Sequence, residues 1–264
     1  MSGQPDWRLA FDRDGFVVRR GLLPTDLISS AQSWLTEAYP KASTVLPEEE
    51  APLLVMWRHV KGGAKRYALL DDCAPFLAIV QSPAVLETAK ALCGGSVRLI
   101  EAVIFDKPPG LGEPLAWHQD LAFYPFSGGK LVSALVPLDP MSEDNGGLSL
   151  EVGSHLKPLS SAVDLHTGQR SKGDDREAPQ DPAKLGAKFE TPAFALGDVV
   201  FFDCLTLHGS GPNRSDQPRR ILSLRFASLD MIYSPRPGNS ASFVHQIKSA
   251  IGEPLSGGAF PVFE

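Results

Sequence analysis

The sequence predicts a mainly β fold of the jelly-roll kind with flanking helices, and three observations support this prediction. From residue 96 onward, short apolar runs alternate with turns rich in Gly, Pro, Asn and Asp, as is typical of antiparallel strands. Before residue 96, apolar residues recur mostly at helical spacing. Hydrophobic residues make up 43% of the 264 residues, which is enough to fill the core of one large β-rich domain.

Residues 7–95 are predicted to contain the helices that cover one sheet. Its apolar spacing predicts, in chain order, a strand over 16–18, a helix over 25–38, a strand over 53–57, and helices over 75–81 and 83–93. Pro40 stops the first helix, and Ser82 followed by Pro83 begins the last one, which ends at Gly94.

The jelly-roll core is predicted over about 96–230, and we expect one domain over 1–264. Its predicted strands cover 96–105, 131–138, 148–152, 199–202 and 220–229. Residues 157–190 interrupt this pattern with a long polar stretch that lacks periodicity. Because a loop of that length in a compact domain is usually functional, we interpret it as a mobile lid. A passive surface loop is the alternative.

The bulk composition excludes several classes of function. A formal net charge of −6 with sparse basic clusters argues against a nucleic-acid partner. We expect no transmembrane helix, because no apolar run reaches about 18 residues, and no secretory signal. Cys73, Cys93 and Cys204 are widely spaced and indicate reduced cysteines in a cytoplasmic protein. The composition leaves the oligomeric state open.

His118 and Asp120 are the first sign of a chemical site. Residues two apart on an extended backbone point to the same side, so an imidazole and a carboxylate converge there. His208, far along the chain, is the best candidate for a third ligand. Two histidines and one carboxylate form the ligand set of a non-haem Fe(II) oxygenase. A buried hydrogen-bonded pair of His118 and Asp120 is the alternative interpretation.

The last predicted strand offers an arginine for a 2-oxo acid. An oxygenase that uses 2-oxoglutarate needs a planar, two-pronged donor for the distal carboxylate, and arginine has that geometry. Arg219 shares the more polar strand face with Arg225, whereas Arg220 shares the apolar face with Phe226. The polar face suits a barrel interior, which favours Arg219. In the alternative, both arginines lie on the surface beside Asp216.

A set of short motifs is far more specific than the spacing of two ligands. The motifs are Asp14-Gly15-Phe16, Lys107-Pro108-Pro109, Trp117-His118-Gln119-Asp120-Leu121, Phe123-Tyr124-Pro125-Phe126, Asn145-Gly146-Gly147-Leu148, Gly153-Ser154-His155, and His208-Gly209-Ser210-Gly211-Pro212-Asn213 followed by Arg219. Their order and approximate spacing, from about residue 8 to 230, resemble the phytanoyl-CoA dioxygenase family of Fe(II)/2-oxoglutarate oxygenases.

This resemblance implies a double-stranded β-helix of the cupin-like type that binds one Fe(II). It implies 2-oxoglutarate and O2 as co-substrates, with decarboxylation of 2-oxoglutarate to succinate. The implied metal ligands are His118, Asp120 and His208. Arg219 matches the residue that binds the distal carboxylate of 2-oxoglutarate, and Ser210 matches a position that often hydrogen-bonds it. Glu101, Val103 and Phe105 match positions that line the cofactor pocket.

Asp120 also indicates the type of reaction. Related halogenases carry a small residue in its place, which leaves a coordination site for chloride, so hydroxylation or another oxidation such as desaturation is favoured here. The expected substrate is a small molecule, and the absence of an obvious Lys/Arg cluster favours one without a CoA group. Candidate substrate contacts are Glu101, Phe123, Tyr124, Trp57, Arg58 and Arg225.

Several alternatives remain open at the level of the sequence. Core packing also accounts for Phe123, and a structural ion pair also accounts for Arg225. Two other functions are compatible with the predicted fold. One is a metal-dependent isomerase or hydrolase, and the other is a catalytically silent binding protein. Neither would need an arginine and a serine for a 2-oxo acid.

Overall fold

The computed structural model describes residues 6–38, 54–60, 63–68, 74–239, 244, 247–256 and 260–264, with 54–60 and 63–68 described by their backbone alone. Its helices are α1 (Asp6–Asp14), α2 (Thr25–Ala38), α3 (Ala74–Val80), α4 (Pro83–Cys93) and α5 (Pro182–Leu185). The predicted helices α2, α3 and α4 are therefore confirmed. Helix α1 was not predicted, because Phe11 is its one buried residue and the apolar period is too sparse.

No single helix in the described ranges has the length and apolar character to cross a membrane, although the bent pair α3 and α4 meets that test when the two are joined.

The strands form two main sheets. The large sheet contains β1 (Phe16–Arg19), β2 (Leu54–Val60), β3 (Gly63–Ala68), β4 (Val97–Lys107), β7 (Leu131–Pro137), β10 (Val199–Asp203) and β12 (Arg219–Ser228), with β14 (Val262–Phe263) paired to β4. The small sheet contains β5 (Leu115–His118), β8 (Leu148–Glu151), β9 (Phe189–Glu190) and β11 (His208–Ser210). A third pair joins β6 (Phe126–Ser127) to β13 (Ile232–Tyr233).

The order of the strands places β12 at the centre of the large sheet. That order is β1-β10-β7-β12-β4-β2-β3, and the order of the small sheet is β5-β11-β8-β9. Among the described strands, every pair is antiparallel except β2 beside β4. The mainly β prediction is confirmed. The hairpin partner β3 was not predicted, and β2 extends beyond the predicted 53–57.

Strand β12 shows the expected division between its two faces. Leu222, Leu224 and Phe226 are buried in the core that the large sheet shares with the helices. Ile221 instead belongs to the core between the two sheets, which also contains Leu150 of β8. Each such side chain contributes about 1.5–3 kcal/mol when fully buried. The remaining inner positions of β12 carry Arg219, Ser223 and Arg225, as the alternation predicts.

A β-bulge adjusts the register where β12 meets β4. Arg225 pairs with Glu101 and Phe226 pairs with Leu99, so Ile100 is an extra residue on β4. The bulge keeps Phe226 and Leu99 on the helix side of the sheet. It also brings Arg225 directly opposite Glu101 on the inner face.

Gly15 allows the N-terminal segment to approach the loop before His208. Its φ is +85°, and an added Cβ would lie 2.5 Å from His155 Nδ1 and 2.6 Å from Thr206 Oγ1. Its carbonyl accepts hydrogen bonds from Thr206 Oγ1 and from the Asp203 backbone amide. Only glycine fits this approach without strain.

The stretch 157–190 contains α5, β9 and an isolated bridge between Val163 and Arg170. The carboxylate of Asp174 holds it together by accepting from the Ala162 amide and from Arg176. Gln119, next to the metal-ligand candidates, accepts from the Ser160 amide at 2.7 Å. The stretch is therefore anchored to the site, and its movement as a lid stays a prediction.

Candidate active site

Three buried side chains converge between the sheets. His118 of β5 and His208 of β11 form a direct cross-strand pair, and Asp120 begins a short 3-10 turn just after β5. Asp120 Oδ1 lies 3.6 Å from the Nε2 atom of each histidine. A metal ion with bonds of about 2 Å bridges atoms up to about 4 Å apart, so both separations fit one ion.

The backbone fixes the tautomer of both histidines. His118 Nδ1 lies 2.7 Å from the Ala116 carbonyl, and His208 Nδ1 lies 2.9 Å from the Thr206 carbonyl. Each Nδ1–H therefore donates to a carbonyl oxygen, which leaves the lone pair of Nε2 directed at the shared point. Burial and repulsion from His118 lower the pKa of His208 to about 3, so His208 is neutral at physiological pH.

The second oxygen of Asp120 is held from the large sheet. Ser133 Oγ of β7 donates to Asp120 Oδ2 at 2.8 Å, and Arg225 lies 2.9 Å from the same oxygen. Burial acts to raise the pKa of Asp120, but Arg225, His208 and His118 together outweigh the effect of burial, so the pKa falls well below its ordinary value. Asp120 is therefore a carboxylate, the form in which it binds a metal.

The donor set fits Fe(II). Two imidazole nitrogens and one carboxylate oxygen would hold an ion and leave other positions open for co-substrates, which is the donor set of non-haem iron oxygenases. In the described ranges, His118, Asp120 and His208 are the one group of His, Cys, Asp or Glu side chains close enough to hold a metal ion, with ligand atoms within 4.8 Å of one another.

Arg219 lies buried at the start of β12, on the same inner face. Its side chain is 2% exposed, and its Nε atom finds no hydrogen-bond partner within the described part of the chain. Burial lowers the pKa of Arg219 to about 10, so the guanidinium remains charged. A buried cation with an unsatisfied donor is suited to an anionic ligand.

Lys107 is a second buried basic side chain, and sequence reasoning missed it. It pairs with Arg219 across β4 and β12 and is fully buried. Its Nζ donates to Ser210 Oγ at 2.7 Å and to the Gly211 carbonyl at 2.5 Å. Burial, followed by repulsion from Arg219, lowers its pKa well below the ordinary value. The alternation of side chains along β4 could have revealed it, because Lys107 lies on the same inner face as Glu101, Val103 and Phe105.

The predicted substrate residues differ in how close they lie to the ligands. Phe123 stacks edge-on against the His118 ring, with ring centroids 5.6 Å apart. Val103 is buried on the inner face of β4, and Glu101 on the same face is partly exposed. Tyr124 is buried in a side cluster and donates its hydroxyl to Glu101 at 2.5 Å. These contacts leave the substrate roles of Glu101, Phe123 and Tyr124 as predictions.

The structure favours the ion-pair alternative for Arg225. The side chain is 5% exposed, and its guanidinium contacts Asp120 and Ser223. Its positive charge is thus already paired with the Asp120 carboxylate. The backbones of Trp57 and Arg58 run parallel to β4, opposite Phe105 and Asp106, but their side chains lie outside the described residues.

Comparison with known proteins agrees with this geometry. The family model for phytanoyl-CoA dioxygenase (PhyH) matches residues 11–221. A probable alpha-ketoglutarate-dependent hypophosphite dioxygenase of Stutzerimonas stutzeri is 33% identical over 158 residues, covering 58% of this chain and 52% of that protein. The match thus spans about half the length of that relative. The ectoine dioxygenase of Bordetella bronchiseptica is 26% identical over 239 residues, covering 86% of this chain and 76% of that protein.

A solved structure shares the fold over nearly the whole chain. The epimerase SnoN, in complex with Fe3+, alpha ketoglutarate and nogalamycin RO, superimposes with a TM-score of 0.72 at 23% identity, covering 97% of this chain and 96% of that one. The cupin-like jelly-roll prediction is therefore confirmed. The family match and the His118–Asp120–His208 group fit Fe(II) and 2-oxoglutarate as the cofactors of an oxygenase. The match over residues 11–221 shows that the chain belongs to the phytanoyl-CoA dioxygenase (PhyH) family.

Proposed function

We propose that the protein hydroxylates a small organic molecule, consuming 2-oxoglutarate and O2 and releasing succinate and CO2. One oxygen atom enters the product hydroxyl and the other enters succinate. The observation that carries this proposal is the pairing of a three-ligand metal site with a buried arginine on the same inner face, whose Nε atom has no hydrogen-bond partner among the described residues. A hydrolase or a silent binding protein has no use for that arginine.

The protein's own residues hold the reactants. Bound Fe(II) would activate O2 and couple the decarboxylation to substrate oxidation. His118, Asp120 and His208 would hold the ion from one side and leave positions for the 2-oxo acid and O2. Because Asp120 fills the position that a halide would need, hydroxylation is favoured over halogenation.

The turn after His208 completes the site for the co-substrate. We assign the distal carboxylate of 2-oxoglutarate to Arg219 and Ser210. Since Lys107 Nζ donates to Ser210 Oγ, the serine oxygen is already an acceptor and its own proton is available for the carboxylate. Lys107 thus orients Ser210 beside Arg219.

Lys107→Met is expected to raise the KM for 2-oxoglutarate about tenfold while leaving kcat close to the wild-type value. The loss of the hydrogen bond that orients the Ser210 hydroxyl corresponds to about 1.5 kcal/mol. Succinate release measured against 2-oxoglutarate concentration checks this. Lys188→Met, at a lysine whose side chain is 73% exposed, is the matched control and should not change the KM. An unchanged KM in Lys107→Met would remove Lys107 from the co-substrate site.

The proposed reaction is tested in two steps. Anaerobic protein loaded with Fe(II) is titrated with 2-oxoglutarate, and the visible charge-transfer band of the chelate is followed. The complex is then exposed to ¹⁸O₂ with a panel of small polar compounds, amino-acid derivatives and acyl-CoA esters. We expect the band, one ¹⁸O atom in succinate, and one in the hydroxyl of a preferred compound. If iron-loaded protein gives neither the band nor succinate, the proposal is wrong.

A further inference from the structure

Arg225 is a buried cation bonded to the carboxylate of the metal site. We propose that Arg225 is a positioning residue which, together with Ser133, restricts Asp120 to a single ligand oxygen and so keeps coordination positions open for the co-substrates. This inference rests on the proposed function.

The two oxygens of Asp120 have different surroundings. Oδ1 lies 3.6 Å from Nε2 of both His118 and His208, so it faces the point where a metal would bind. Oδ2 lies 2.8 Å from Ser133 Oγ and 2.9 Å from a terminal nitrogen of Arg225. A carboxylate can bind a metal through one oxygen or both. Two donors on Oδ2, one of them charged, favour binding through Oδ1 alone.

The two donors are placed by the most central strands of the large sheet. Arg225 of β12 and Ser133 of β7 are partners in the strand register, and both side chains are buried on the inner face. Ser223, two residues before Arg225, accepts a further hydrogen bond from its guanidinium. Because neighbouring strands of one ladder fix both donors, Oδ2 cannot turn towards the metal without breaking these contacts.

Other roles for Arg225 fit the structure less well. Asp120 is its one ion-pair partner in the described residues, so the charge of the guanidinium is already matched by a carboxylate of the protein. A purely structural ion pair would account for its burial. A structural ion pair alone would not explain why Arg225 and Ser133 both donate to Asp120 Oδ2, the oxygen that does not face the histidines.

The test compares Arg225→Met, Arg225→Lys and Ser133→Ala, with Arg220→Met as the matched control. Arg220 lies on the same strand but bonds Asp139 on the opposite face. Fe(II) affinity is measured by competition with a chelator, and 2-oxoglutarate affinity by anaerobic titration of the charge-transfer band. Uncoupling is measured as the ratio of succinate to hydroxylated product.

We expect Arg225→Met to bind Fe(II) within about threefold of the wild type, but to lose about tenfold in 2-oxoglutarate affinity and to shift the band. Arg225→Lys, which restores one charged donor, should recover part of that affinity, and Ser133→Ala should lose about threefold. If Arg225→Met does not fold, the other two variants decide the question.

Unchanged 2-oxoglutarate affinity and coupling in the folded variants would overturn the inference. So would a parallel loss of Fe(II) and 2-oxoglutarate, because that would make Arg225 necessary for holding the ligand at all. If the wild type itself shows no charge-transfer band, the proposed function fails instead. The two failures are therefore distinguishable.

Discussion

Asp120→Ala is expected to abolish hydroxylation and to weaken Fe(II) binding by at least about 100-fold. The substitution removes the one negatively charged ligand and leaves two neutral imidazoles. It also leaves Arg225 as a buried cation without its partner, which costs about 3–5 kcal/mol of the free energy of unfolding. Fe(II) loading, product formation and thermal unfolding are measured on the same protein.

Two further variants separate these effects. Asp203→Asn changes another buried carboxylate, one that accepts from the Leu205 amide, and it should keep Fe(II) binding. The double variant Asp120→Ala/Arg225→Met removes both charges of the pair. It should regain stability relative to Asp120→Ala without regaining activity. Normal turnover in Asp120→Ala would show that Asp120 is not a metal ligand.

Arg219→Met should raise the KM for 2-oxoglutarate by about 100-fold or more. Two charge-assisted hydrogen bonds of about 1.5–3 kcal/mol each are lost, and each 1.4 kcal/mol corresponds to a factor of ten. The metal ligands are untouched, so Fe(II) binding stays close to the wild-type value and turnover recovers at saturating 2-oxoglutarate. Succinate release over a range of 2-oxoglutarate concentrations checks this result.

The neighbouring arginine provides the control for Arg219. Arg220 donates two hydrogen bonds to Asp139, so Arg220→Met should lower the melting temperature without changing the KM for 2-oxoglutarate. The wild type should also prefer 2-oxoglutarate to 2-oxo acids that lack the distal carboxylate. Arg219→Met should lose most of that preference. Equal effects of the two substitutions on the KM would contradict the assignment of Arg219.

Local periodicity explains what the sequence could predict. The two-residue spacing predicted that His118 and Asp120 point to the same side, and the alternation along β12 predicted that Arg219 points inward. The structure places these side chains in buried positions, with the metal-ligand candidates close together. Helix α2 was equally predictable, because its apolar stripe has the helical period.

Strand register explains what the sequence could not predict. Lys107 meets Arg219, and Ser133 meets Arg225, only because β4, β12 and β7 pair in one particular register. Register is a non-local property that depends on turns and bulges, such as the extra residue Ile100. Alternation therefore predicted that Arg225 points inward, but not that it bonds Asp120.

The cross-strand pair of His118 and His208 makes the site a cross-link between distant parts of the chain. These residues lie on short strands of the small sheet, whereas Asp120 is held by strands of the large sheet. An ion bound by both histidines would close the long loop of chain between residues 118 and 208. Because the complete site exists only in the folded protein, the binding free energy of the ion would offset part of the entropy that the chain loses on folding. By mass action, the folded population rises with the concentration of free metal. We therefore expect the bound ion to stabilise the packing of the two sheets in addition to serving as the metal cofactor.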